Sequence, residues 1–155
     1  MKNAYNLQSL LLIMDAKRIA FLKEDYAQGF PAYCGFTVED VDKGEFQSRL
    51  VIKPEHRQQD GFVHAGVIAT IADHTAGYSA YTLVPESMRI LTIEFKINYL
   101  KPVKGDEIIC KSKVISAGKK IIVSESEIYS ISEKKEDLVS KAMVTLIAVN
   151  SSNKN

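Results

Sequence analysis

The stretch HAGVIATIADHTAG, residues 64–77, sets the carboxylate of Asp73 in the middle of a run that is otherwise small or apolar. The run continues to Leu83, and the restriction that Pro85 places on its predecessor ends a helix there. A helix over 65–83 spans about 28 Å at 1.5 Å per residue, close to the thickness of a bilayer. Asp73 and His74 at its centre argue against a membrane span. So does its wealth of Ala, Gly, Ser and Thr, because such small side chains let strands approach a helix on several sides. The segment reads as one internal helix enclosed by a curved sheet.

The flanking sequence supplies that sheet. Apolar and polar residues alternate over 36–53 around Asp42-Lys43-Gly44, which predicts two strands and a tight turn. A polar loop, PEHRQQDGFVHAG, leads to the helix. Four further strand-like stretches follow at 89–100, 106–116, 121–132 and 138–149, separated by KPVKGD, SAGKK and SEKKED. At the N-terminus, Leu7, Leu10, Leu11, Met14, Phe21 and Leu22 fall near one helical stripe, which packs on the domain or serves a partner or membrane surface. Gly29 and Pro31 break that pattern, and FPAYCGF reads as an ordered connection. We expect an α+β chain, with a helical extension over 1–28, one domain over 29–150 and a disordered tail over 151–155.

Charge and cysteine content exclude several classes. Twenty Lys and Arg against nineteen Asp and Glu give a net charge of +1 with no long single-sign block, so no nucleic-acid or anionic-membrane surface is expected. Cys34 and Cys110 are isolated and suit a reducing compartment, with both thiols in the core. The short run 10–14, followed by Asp15, Lys17 and Arg18, lacks a signal-peptide pattern, so the chain reads as cytoplasmic. The three histidines have no metal-ligand spacing, and no metal is expected.

Candidate chemistry gathers at the long helix. Its start at His64, Ala65 and Gly66 offers backbone N–H groups that favour an oxyanion, and Gly66 permits close approach. Asp73 lies nine positions beyond His64, too far to meet its own helix start. Two antiparallel helices in a dimer would bring the carboxylate of one to a pair of donors of the other. The alternative is a capped or salt-bridged structural acid. Gln58 and Thr92 can orient a water or a carbonyl. His64 suits a helix-entry hydrogen bonder or a base, His56 is expected in solvent, and His74 faces another side of the helix.

These residues resemble the hotdog-fold acyl-CoA thioesterases, in particular the PaaI-like (phenylacetate-pathway) group, over roughly 29–148. That family's pattern is Asn, a Gly three residues later, then His-Gly-Gly, with the catalytic Asp nine positions past the His. Here the matching residues are Gln58, Gly61, His64-Ala65-Gly66 and Asp73, so the spacing is kept and two residues differ. LTIEFKINYLKPVKGD, with Asn98, Tyr99 and Pro102, is similar to the family's central strand. SAGKK is similar to its turn beside the coenzyme A phosphates.

The resemblance implies a hotdog fold, a homodimer with a continuous sheet and interfacial sites, and dimers pairing into tetramers. It implies Asp73 as base or nucleophile, the Ala65 N–H polarising the thioester carbonyl, Gln58 orienting carbonyl or water, and Thr92 positioning the water. His64 and Gly66 would contact substrate, with Gly118, Lys119 and Lys120 toward coenzyme A. Ala65 adds a methyl where the family has glycine, and Gln58 is one methylene longer than Asn. A thioester is already activated, so a carboxylate and oxyanion donors suffice without a serine triad or a cofactor. Direct attack through a transient anhydride is the other route. The reading from a different class is a non-catalytic acyl-CoA or lipid sensor using the same groove.

Overall fold

The computed structural model describes residues 14–133 and 135–151. The elements run α1 (Ala16–Tyr26), α2 (Gly29–Cys34), β1 (Phe36–Asp42), β2 (Glu45–Val51), a 3-10 turn (Pro54–His56), α3 (Ala65–Tyr81), β3 (Met88–Tyr99), β4 (Glu107–Ala117), β5 (Ile121–Ser132) and β6 (Lys135–Asn150). The strands form one antiparallel six-stranded sheet in the order β1-β2-β4-β5-β6-β3. It curves around α3, which packs on β2 through β6. This is the expected α+β hotdog architecture.

Small residues are what allow the wrap. Ala72, Thr75, Ala76, Ser79 and Ala80 have no exposed surface, and strand hydroxyls reach the helix among them. Ser126 donates to the Ala72 carbonyl at 2.8 Å, and Ser79 donates to Ser124 at 3.0 Å. The Thr75 hydroxyl donates to the Ile71 carbonyl at 2.6 Å and lies 2.7 Å from Ser48 and 3.2 Å from the Tyr26 hydroxyl. Each buried hydroxyl in this set is paired, so enclosing them carries no unmet desolvation cost. At the far end, the Lys43-Gly44 turn docks on the helix: Gly44, at φ +77°, donates its N–H to Thr82 Oγ1 at 2.7 Å.

Three expectations are corrected. The expected N-terminal helix is present as α1 with Phe21 and Leu22, but Met14, expected on the same helical stripe, lies outside it, because α1 starts at Ala16, where Asp15 accepts the Arg18 N–H at 2.8 Å as N-cap. Leu7, Leu10 and Leu11 lie outside the described residues. The connection 30–36 contains helix α2, in which Pro31 sits in the first turn, where no N–H is needed, and Gly35 closes the end at φ +80°. His56, expected in solvent, is buried, and its Nδ1 accepts the Lys53 N–H at 3.0 Å. The tail expected to be disordered also lies outside the described residues from 152 onward. Both cysteines are buried and free, and burial pushes the Cys110 thiol up to about 11. Among the described residues no helix is long and apolar enough to cross a membrane.

Helix α1 closes one side of α3. Leu22 and Tyr26 are fully buried, and the Tyr26 ring stacks on Phe46 at 5.0 Å. Arg18 is buried beside the C-terminus of α3, where its Nη2 donates to the Tyr81 and Val84 carbonyls at 2.8 and 2.9 Å. Its guanidinium also lies 4.8 Å from the Tyr81 ring centre. A cation at that end meets carbonyls at the helix terminus and the negative pole of the helix. Replacing Arg18 by Met keeps much of the apolar stem and removes these bonds, so urea unfolding should show a loss of about 2–3 kcal/mol.

Candidate active site

Helix periodicity divides α3 into three stripes. Ile68, Ala72, Thr75 and Ser79 are buried against the sheet, and His74 and Tyr78 lie under α1. Gly66, Thr70, Asp73 and Gly77 follow at intervals of four, three and four on the remaining side, where all are at least partly open. Asp73 is therefore half-buried on the open face.

Thr92 meets it there. The Thr92 hydroxyl donates to Asp73 Oδ1 at 2.8 Å, which orients the carboxylate directly. A β-bulge between Thr92 and Glu94 interrupts the pairing of β3 with β6 at this point. Bulges turn a strand locally and re-aim side chains, and Thr92 is the residue delivered to the helix. No salt bridge among the described residues engages Asp73, so the salt-bridged structural reading does not apply.

The helix start is more selective than the sequence suggests. His64 is the N-cap, and its Nδ1 accepts the Gly66 N–H at 2.9 Å. The imidazole lies so close that a Cβ on residue 66 would fall 2.9 Å from Nδ1, which is why glycine fits there. The Val67 and Ile68 N–H groups turn back to the His64 carbonyl at 3.0 and 3.4 Å. Among the described residues the expected pair of backbone donors thus reduces to one, the Ala65 N–H, because the Gly66 N–H is already spent on the cap. With Nδ1 accepting, neutral His64 carries its proton on Nε2.

Gln58 opens a tight turn, where its N–H donates to the Phe62 carbonyl and its own carbonyl accepts from Gly61, at 2.8 and 2.9 Å. Gly118, Lys119 and Lys120 form the turn between β4 and β5, closed by the Gly118 N–H on the Ile121 carbonyl at 2.8 Å. Within one chain the structure joins Asp73 to Thr92 and gathers His64, Ala65 and Gly66. It leaves Gln58 and the Gly118 turn outside those contacts. About 12 Å of helix separates Ala65 from Asp73. Tyr99 is a neighbour that the sequence reading left without a role: its hydroxyl donates to the Ala65 carbonyl at 3.1 Å. Its inward direction follows from period two with Phe95 and Ile97.

An antiparallel sheet wrapped around one central helix is the hotdog architecture. The thioesterase superfamily profile matches residues 60–136. A protein of Halobacterium salinarum named as a putative esterase is 30% identical over 118 residues, 72% of this chain and 78% of its own. The 1,4-dihydroxy-2-naphthoyl-CoA hydrolase of Listeria monocytogenes is 24% identical over 106 residues, 68% of this chain and 86% of its own. A solved thioesterase family protein of Silicibacter pomeroyi superposes with a TM-score of 0.81 at 27% identity, covering 84% of this chain and 96% of that one. The chain belongs to the thioesterase superfamily and is a thioester hydrolase.

His74, beside the acid, is a structural histidine. Its Nε2–H donates to the Tyr26 carbonyl at 3.1 Å, and its ring lies 4.3 Å from that of Tyr26. Burial lowers its pKa, against smaller upward pulls from the Tyr26 carbonyl, Asp73 and Asp25. The unfolded chain therefore binds the extra proton first, and stability falls as pH drops through the ordinary histidine range toward the lower folded value. Urea unfolding between about pH 7.5 and pH 5 should show this fall in the wild type and a shallower one in His74→Gln, which does not titrate.

Proposed function

We propose that the chain hydrolyses an acyl- or aryl-CoA thioester to the free acid and coenzyme A, with Asp73 as its base or nucleophile. The observation that carries this reading is Asp73 itself: a half-buried carboxylate, outside any salt bridge among the described residues, oriented by Thr92 on the open face of α3. As base, Asp73 takes a proton from water while the water oxygen bonds to the carbonyl carbon. The carbonyl oxygen becomes an oxyanion at the Ala65 N–H; its collapse re-forms the carbonyl and breaks the C–S bond, and the leaving coenzyme A thiolate takes the proton held by Asp73. As nucleophile, Asp73 attacks the carbonyl carbon and expels the coenzyme A thiolate to form an anhydride, which water then opens to the free acid and the Asp73 carboxylate. Gln58 orients the carbonyl or the water, and Thr92 holds the carboxylate beside that water. His64 and Gly66 line the carbonyl's approach, and Gly118, Lys119 and Lys120 face coenzyme A. The relationship to a CoA hydrolase of Listeria monocytogenes supports the coenzyme A portion.

The 12 Å gap between donor and acid favours a homodimer. Strand β3 lies at the edge of the sheet, with Leu91, Ile93 and Tyr99 about half exposed. Pairing of β3 with its copy continues the sheet and sets two α3 helices antiparallel, the donor of one facing the acid of the other. Dimers pair in turn into tetramers. In this reading residues 29–150 are the catalytic domain, 1–28 an extension and 151–155 a tail; the enzyme is cytoplasmic and uses no cofactor.

Thiol release from aryl-, short-, medium- and long-chain acyl-CoAs tests the reading. The wild type should turn over at least one class, and Asp73→Asn should lose about a thousandfold in kcat with its fold and dimer intact. Near-normal turnover by the folded variant, or none by the folded wild type, overturns it.

A further inference from the structure

One peptide unit at the start of α3 is held at both ends. The Ala65 carbonyl accepts from the Tyr99 hydroxyl at 3.1 Å, and the Gly66 N–H of the same unit donates to His64 Nδ1 at 2.9 Å. A peptide unit is planar, so bonds at its two ends fix the orientation of the whole plane. The preceding unit contains the His64 carbonyl and the Ala65 N–H, and its carbonyl is held by the Val67 and Ile68 N–H groups. The two planes meet at the Ala65 Cα. With one held by the helix and the other by Tyr99 and His64, the direction of the unspent Ala65 N–H is set.

We propose that Tyr99 is a positioning residue for thioester hydrolysis, its hydroxyl clamping the Ala65–Gly66 peptide so that the Ala65 N–H points at the thioester carbonyl oxygen. The part played by the carbonyl rests on the proposed function; the clamp itself does not. Tyr99 reaches the helix from the inner face of edge strand β3, whose exposed position makes this contact the brace that ties strand to helix start. The phenol holds its proton at neutral pH, as the bond to the Ala65 carbonyl requires. A lone oxyanion donor has no neighbour to compensate for misalignment, and an error of about 1 Å in such a site costs about a hundredfold in rate.

Tyr99→Phe removes the hydroxyl and retains the ring. Amide hydrogen exchange by NMR on the free protein should show the Gly66 N–H exchanging about tenfold faster, as the plane it belongs to loses one anchor. In the thiol-release assay kcat should fall about tenfold with KM within about twofold, because the carbonyl is polarised chiefly in the transition state. Unchanged Gly66 exchange overturns the clamp. Unchanged kcat, or a loss of kcat that follows an equal loss of thermal stability or of the dimer, overturns the positioning role. Exchange is read without substrate, so a wild type that cleaves no thioester would defeat the functional reading and still leave the clamp decided by its own measurement.

Discussion

Everything in this fold depends on strands lying against the backbone of α3. The Ser126 hydroxyl reaches the carbonyl of Ala72 only because nothing larger than a methyl stands between them, and the bonds at Thr75 and Ser79 need the same closeness. A helix wrapped by larger side chains would hold the sheet off and leave these hydroxyls without partners. Close wrapping covers one stripe of α3 and α1 covers a second, so one stripe remains for chemistry, and Asp73 is on it. The acid is tolerated in a small-residue helix because packing is concentrated on the other two faces.

The strands and the central helix were legible in the sequence because their signals are local. Period-two alternation marked β1 and β2, and the small-residue run marked α3. Asp73 stood out as a charge among apolar neighbours, and Thr92 as a polar residue at an approach to the helix. What was missed depends on partners distant in sequence or on backbone groups that composition does not show. His56 sits in a polar loop and yet is buried, since one backbone N–H satisfies its ring. Gly29 and Pro31 suggested a break, and a break does precede α2, but proline in a first turn does not prevent a helix. His64 was expected as a helix-entry hydrogen bonder, and the structure bears this out, but that it would take the Gly66 N–H and so spend that donor depends on ring geometry that sequence does not carry.

Helix α1 bears on the same region from behind. The Tyr26 carbonyl at its C-terminal end accepts a hydrogen bond from His74, the residue next to Asp73, while Arg18 nearer its start caps the far end of α3. The central helix is thus held along its length by one covering helix, through a neutral imidazole beside the acid and a cation at the opposite terminus. Both choices follow from electrostatics. Burial between aromatic rings favours the neutral imidazole, and the guanidinium complements the negative pole of α3.

Strand β3 is the element on which the open face turns. From its inner face Thr92 orients the carboxylate of Asp73 and Tyr99 holds the carbonyl of Ala65, so one strand touches both the acid and the helix start. The bulge after Thr92 lets a single strand serve both contacts, because it shifts the register once between them. Yet β3 is an edge strand, hydrogen-bonded only to β6 within the sheet, and a strand held on one side has more freedom than one held on both. A second chain added to that edge would stiffen the Thr92 and Tyr99 contacts together. In the proposed dimer, pairing would therefore do more than bring a distant donor to the acid: it would fix the strand that aims them both.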